Sequence, residues 1–143
     1  MSTLDLTLKQ ILREIRNTKD SGSLIVFLNG DLGVGKTHFV KRLAEHLKIK
    51  ETITSPTFLI LKTYEIPNLE KLLVHIDFYR FKDNPSPAVL EDIAFFDYID
   101  KDIIFIEWGE IVKPFLPEDL LKNSINIDIK KDEYGNRVYE IKK

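Results

Sequence analysis

The sequence predicts a three-layer α/β domain whose sheet mixes parallel and antiparallel strands, and three observations predict it. A short apolar run, Leu24–Asn29, leads through a glycine-rich loop into residues that repeat with helical period: Phe39, Val40, Leu43, Ala44 and Leu47. Two strand-like runs, residues 58–64 and 72–78, are joined around Pro67 and Asn68 by a connection too short for a crossover helix, so they pair antiparallel. A further apolar run at 103–106, and a closing pair at 125–129 and 138–141, add strands with few helices between them, which excludes a purely parallel doubly wound sheet.

Taken in order, residues 7–16 read as an amphipathic helix, with Thr7 and Gln10 at capping-box spacing and Leu8, Ile11, Leu12 and Ile15 on one face. Residues 17–23 are a polar breaker containing Gly22. After the first strand, loop and helix, Ser55-Pro56-Thr57 opens the antiparallel pair. Residues 83–87 read as a loop, and 89–98 as a weak helix that packs on the sheet. The run at 103–106 ends at Glu107, and Pro114 and Pro117 mark another loop. The last two strands close as a hairpin around Tyr134-Gly135-Asn136.

The chain has 143 residues, which suits a single domain over 1–143 with its own core. It contains no cysteine, so disulfides, thiolate catalysis and Cys-ligated zinc are excluded, and a reducing compartment is expected. No apolar run approaches the ~20 residues that span a bilayer, and the N-terminus lacks a basic-then-apolar leader pattern. A cytoplasmic protein without a membrane partner is expected. Net charge is −2, with 21 Lys and Arg against 23 Asp and Glu and no basic track. Autonomous gripping of DNA or tRNA is therefore not expected, although joining a complex that holds tRNA is compatible with this balance.

The loop Gly30-Asp31-Leu32-Gly33-Val34-Gly35-Lys36-Thr37 matches G-x-x-x-x-G-K-[ST] between a strand and a helix, the setting of a P-loop. The glycines admit backbone angles that side chains forbid and turn N–H groups toward phosphate oxygens. The helix that begins near Lys36 adds the positive end of its dipole, and His38 follows with its own backbone N–H. Lys36 supplies a charge to the β- and γ-phosphates, and the Thr37 hydroxyl is a ligand for Mg²⁺. The fold expectation becomes a P-loop NTPase-like domain. No Asn-Lys-x-Asp guanine reader occurs, so ATP is expected over GTP.

A P-loop also needs an acid at the end of a buried strand to hold Mg²⁺ and orient the attacking group. Asp77 ends the run 72–76 and Glu107 ends 103–106, and both are expected at the γ-phosphate as catalytic and metal-binding residues beside Lys36 and Thr37. His75 is expected to be a hydrogen-bonded structural residue. Trp108 is expected to face away from Glu107, in the core or lining a site or interface.

These motifs together, Gly30 to Thr37, Ser-Pro-Thr-Phe at 55–58, His-Ile-Asp-Phe-Tyr-Arg at 75–80 and Ile-Glu-Trp at 106–108, resemble the TsaE family of P-loop ATPases, over about residues 5–141. The resemblance implies a bacterial ATPase of tRNA threonylcarbamoyladenosine synthesis. It implies ATP and Mg²⁺ as cofactors, TsaD and TsaB as partners, weak intrinsic activity that the partners stimulate, and contact with tRNA only through them. It also implies that Glu107 is the acid associated with Mg²⁺, that Ser55 and Thr57 lie in a switch-like segment, and that Thr7 and Arg137 fall near the nucleotide. The chain departs from the family in Val34 for alanine and in His38 for a hydroxyl residue. It also lacks a glycine near Ala94, and has Gly109 after the tryptophan. A small-molecule kinase and a nucleotide-gated binding module are the alternatives the same loop allows.

Overall fold

The computed structural model describes residues 1–18, 22–56 and 60–142. Among the described residues, six strands form one sheet in the order β2-β3-β4-β1-β5-β6. They are β1 Leu24–Asn29, β2 Leu61–Glu65, β3 Leu72–Asp77, β4 Ile103–Glu107, β5 Ile125–Lys131 and β6 Arg137–Lys142. The central four, β3, β4, β1 and β5, run parallel, and the outer strands β2 and β6 are antiparallel to their neighbours. The mixed sheet expected from the sequence is present. Strands β1, β3 and β4 read as near-continuous, mostly apolar runs because both their faces are covered, whereas β5 alternates buried apolar with half-buried polar residues. Leu24, Val26, Leu28, Phe105 and Leu73 face one core, and Ile25, Phe27, Ile104, Ile106, Val74 and Ile76 face the other.

The first core is closed by the helices α1, Thr3–Thr18, and α2, Lys36–His46, through Leu8, Ile11 and Ile15 and through Phe39, Val40 and Leu43. The second is closed by short pieces: α3, Ala88–Asp92, four 3₁₀ turns, and α4, Glu118–Asn123. Helix, sheet and helix make three layers.

Several elements differ from the sequence expectation. Helix α1 starts four residues early because Ser2, not Thr7, is its cap: the Ser2 hydroxyl accepts the Asp5 N–H at 3.1 Å and donates to its carboxylate at 2.9 Å. Thr7 is instead buried inside the helix, and its hydroxyl donates to the Tyr139 carbonyl at 3.5 Å. The strand expected at 58–64 begins at Leu61, since Ile60 sits at φ 66, a left-handed angle no strand contains. Phe58 and Leu59 of that expectation, with Thr57, lie outside the described residues, as do 19–21 of the expected breaker. The expected helix at 89–98 is split into α3 and a 3₁₀ turn, Phe95–Asp97, by Ala94 at φ 55. The proline-marked loop contains α4, six residues that start after Pro117 and are too few to show a period.

Candidate functional site

The carboxyl ends of β1, β3 and β4 meet at one edge of the sheet, the edge where ligands bind in open α/β folds. There β1 passes into the loop from Gly30 to Gly35 and then into α2. Two glycines are required by geometry. A Cβ on Gly30 would lie 2.5 Å from the Ile129 carbonyl oxygen, so β5 can approach the loop only if that position has no side chain. Gly35 has φ 123, and a Cβ there would meet the Tyr139 hydroxyl at 2.9 Å and the Arg137 side chain at 3.0 Å.

The first intrahelical bond of α2 is Phe39 N–H to the Gly35 carbonyl, at 3.1 Å. The amides of Lys36, Thr37 and His38 therefore have no acceptor within the helix, no side chain caps them, and the first turn holds no acid. Together with the helix dipole this is an anion cradle. Lys36 is nearly buried beside it. Its Nζ donates to the Gly30 carbonyl at 2.8 Å and lies 3.7 Å from the centroid of the Trp108 ring. Burial holds the Lys36 pKa below its ordinary value, against the opposing pull of Glu107, Glu110, Asp77 and Asp31. The His38 imidazole pKa is pushed down by burial and then by Arg137, Arg42 and Lys41, against the opposing pull of Glu45.

The two strand-end acids are brought together. Asp77 and Glu107 are register partners on β3 and β4, and each is only 4% exposed. Glu107 Oε2 accepts the Thr37 hydroxyl at 2.9 Å and faces His75 Nε2 at 2.5 Å. Asp77 Oδ1 accepts the Tyr79 N–H at 2.8 Å, starting the turn that carries Tyr79 and Arg80. A hydroxyl and two carboxylates form a hard oxygen donor set, the kind Mg²⁺ takes, beside a cradle for phosphate. Among the described residues no group of three His, Cys, Asp or Glu side chains is arranged to hold a metal without a ligand's help. Mg²⁺ in phosphate-transfer sites is likewise held by few protein ligands plus the phosphates.

A hydrogen-bonded His75 and a site-lining Trp108 were among the sequence expectations, but the strand pattern could fix neither His75's partner nor Trp108's direction. Trp108 takes φ 58 where β4 ends, so strand alternation does not apply and its ring turns back over Lys36, 5.0 Å from Tyr79. No β-strand pattern could show that. His75 touches Glu107 from a strand 32 residues away in sequence. Of the weaker candidates, Arg137 lies beside Gly35, whereas Thr7 fastens α1 to β6, whose Tyr139 hydroxyl reaches the Gly35 carbonyl at 3.4 Å. A cavity of about 590 Å³ opens on the β5 side of the loop, between Asp31–Gly33 and Asp128, Lys130 and Lys131; its walls include neither Lys36 nor Thr37.

The family described as "Threonylcarbamoyl adenosine biosynthesis protein TsaE" matches residues 4–139. A Rickettsia typhi protein named tRNA threonylcarbamoyladenosine biosynthesis protein TsaE is 39% identical over 120 residues, covering 83% of this chain and 77% of that one. A Haemophilus influenzae protein of the same name is 36% identical over 121 residues, covering 83% and 70%. Among solved structures, Bacillus subtilis YdiB superposes with a TM-score of 0.58 at 26% identity, over 82% of this chain and 66% of that one.

Proposed function

Since this chain belongs to the TsaE family of tRNA threonylcarbamoyladenosine biosynthesis, we propose that it is a single-domain, cytoplasmic ATPase that binds Mg·ATP on its P-loop and serves TsaD and TsaB. The observation that carries this reading is the Thr37–Glu107 hydrogen bond of 2.9 Å at the mouth of an uncapped helix N-terminus. It joins the loop's hydroxyl to a strand-end acid, the pairing a triphosphate–metal site needs.

In this reading the amides from Gly33 to His38 cradle the phosphates. Lys36 leaves the Gly30 carbonyl and the Trp108 face to neutralise the β- and γ-phosphate oxygens. Thr37, with Glu107 and Asp77, would hold Mg²⁺, which when bound offsets the charge that builds on those oxygens during transfer. Of the two acids, Glu107 is assigned as the nearer to the metal because it accepts the Thr37 hydroxyl, with Asp77 completing the site from the neighbouring strand. Asp77 orients the attacking water and fixes the Tyr79–Arg80 turn. A nearly balanced surface charge suits a protein that reaches tRNA only through partners. No helix among the described residues is long and apolar enough to cross a membrane.

Mixing the chain with TsaB and TsaD from its own organism, ATP, tRNA and an activated threonylcarbamoyl donor tests the proposal. Phosphate release is expected to be slow for the chain alone and faster with both partners, and modified tRNA is expected only when the P-loop is intact. Rapid hydrolysis by the isolated chain, or γ-phosphate transfer to a small metabolite, would refute it.

A further inference from the structure

We propose that His75 is a positioning residue for the metal site: it holds the Glu107 carboxylate in the one orientation that leaves an oxygen for Mg²⁺. The inference rests on the P-loop reading above and assigns a task to a residue that reading does not use.

Three observations carry it. First, the imidazole is fully buried, on the same face of β3 as Leu73 and Asp77 and paired in register with Phe105. Its Nδ1 has no hydrogen-bond partner among the described residues. An apolar ring or chain of similar size would fill this space without stranding a nitrogen, so packing does not explain a histidine. Second, Nε2 is 2.5 Å from Glu107 Oε2. A carboxylate offers only acceptors, so Nε2 is the nitrogen that carries the proton and donates. Third, the Thr37 hydroxyl donates to that same oxygen from α2.

Two donors on two elements thus fix one carboxylate oxygen. A carboxylate is otherwise free to turn, because its terminal torsion has a broad, shallow profile. With Oε2 committed, the lone pairs of Oε1 are unclaimed by any hydrogen bond among the described residues. Glu107 also has a rival partner. It is the carboxylate that acts most strongly on the Lys36 ammonium. Held only by Thr37, it is free to swing toward Lys36, which would remove both the metal's acid and the phosphate's cation. His75 prevents that collapse from the strand side.

The test compares nucleotide affinity with and without the metal. Calorimetry measures ATP binding in EDTA and in Mg²⁺ for the unaltered chain and for His75→Leu, His75→Asn and His75→Gln. The Gln amide nitrogen reaches about as far as Nε2, and the Asn amide stops near Nδ1. The expected result is EDTA affinity within about twofold of the parent in all variants. The affinity gained on adding Mg²⁺ is expected to fall by about 10–100-fold in Leu and Asn, and to return largely in Gln. A merely structural role would shift both conditions alike. If His75→Leu fails to fold, the Asn and Gln pair still decides, since both are buried amides of opposite reach. An unchanged Mg²⁺ gain in Leu or Asn overturns the inference alone. An unaltered chain that binds no ATP, or gains nothing from Mg²⁺, overturns the P-loop reading with it.

Discussion

Replacing Gly109 by alanine adds one methyl group at the hinge between the Glu107–Trp108 segment and the core, and the structure sets its cost. The new Cβ would stand 2.6 Å from Phe27 Cε1, closer still to Cδ1, and 3.2 Å from Ile106 Cγ2. Phe27 is fully buried in the strand that leads to the P-loop, so its ring must retreat by roughly 1.5 Å to regain ordinary contact, into a core already filled. Overpacking of this kind costs about 1–3 kcal/mol. For a chain of this size, a loss of about 2 kcal/mol lowers the melting temperature by about 6–10 °C. Thermal unfolding followed by circular dichroism reads this directly, and the emission of the single tryptophan, Trp108, reports whether the adjacent segment has shifted. Phe27→Leu makes room for the methyl. The double variant is therefore expected to lose less than the two singles combined, by about 0.5–3 kcal/mol. A Gly109→Ala protein that melts within about 2 °C of the parent, or singles that simply add, would refute the reasoning. The Gly109–Phe27 contact would then not be what excludes a side chain there.

Other outcomes follow from the same geometry. Ala94→Gly relieves a left-handed φ of 55 and is expected to stabilise the chain by about 1 kcal/mol in denaturant titration. Phe39→Ala empties a fully buried position between Phe105 and Tyr139 and is expected to cost about 3–5 kcal/mol in the same assay. For pH, the Lys36 pKa is held below its ordinary value of 10.5 by burial, so the ammonium loses its proton earlier in the alkaline range than an exposed lysine does. Triphosphate affinity is therefore expected to weaken as pH rises toward 10. Lys36→Arg, which keeps its charge, is expected to bind with an affinity that does not change with pH over that range. In an equilibrium binding assay, Thr37→Ala is expected to lose Mg²⁺-dependent affinity while binding nucleotide normally in EDTA.

Much of the fold was legible where local pattern and buried environment coincide. The strands at 24–29 and 103–107 are continuous apolar runs because both faces of a central parallel strand are covered, and the P-loop announces itself through glycines that its angles and close approaches require. The two acids were legible because each ends such a run. What was not legible depends on partners distant in sequence. Thr7 looks like a cap by spacing, but β6 packs across α1 and takes its hydroxyl. Trp108 escapes alternation because the chain turns left-handed where β4 ends. His75 looks like one more strand residue until the parallel pairing of β3 with β4 sets it against Glu107. The pieces that cover the second core, α3, α4 and the 3₁₀ turns, are too short to carry a period of their own.

The account depends on the loop between β1 and α2 holding a triphosphate. Calorimetric titration of the folded chain with Mg·ATP measures this most directly. A saturable heat at one site per chain, abolished in a Lys36→Ala variant that melts like the parent, is the predicted result. A folded chain that releases no heat, or a variant that binds as the parent does, would contradict it.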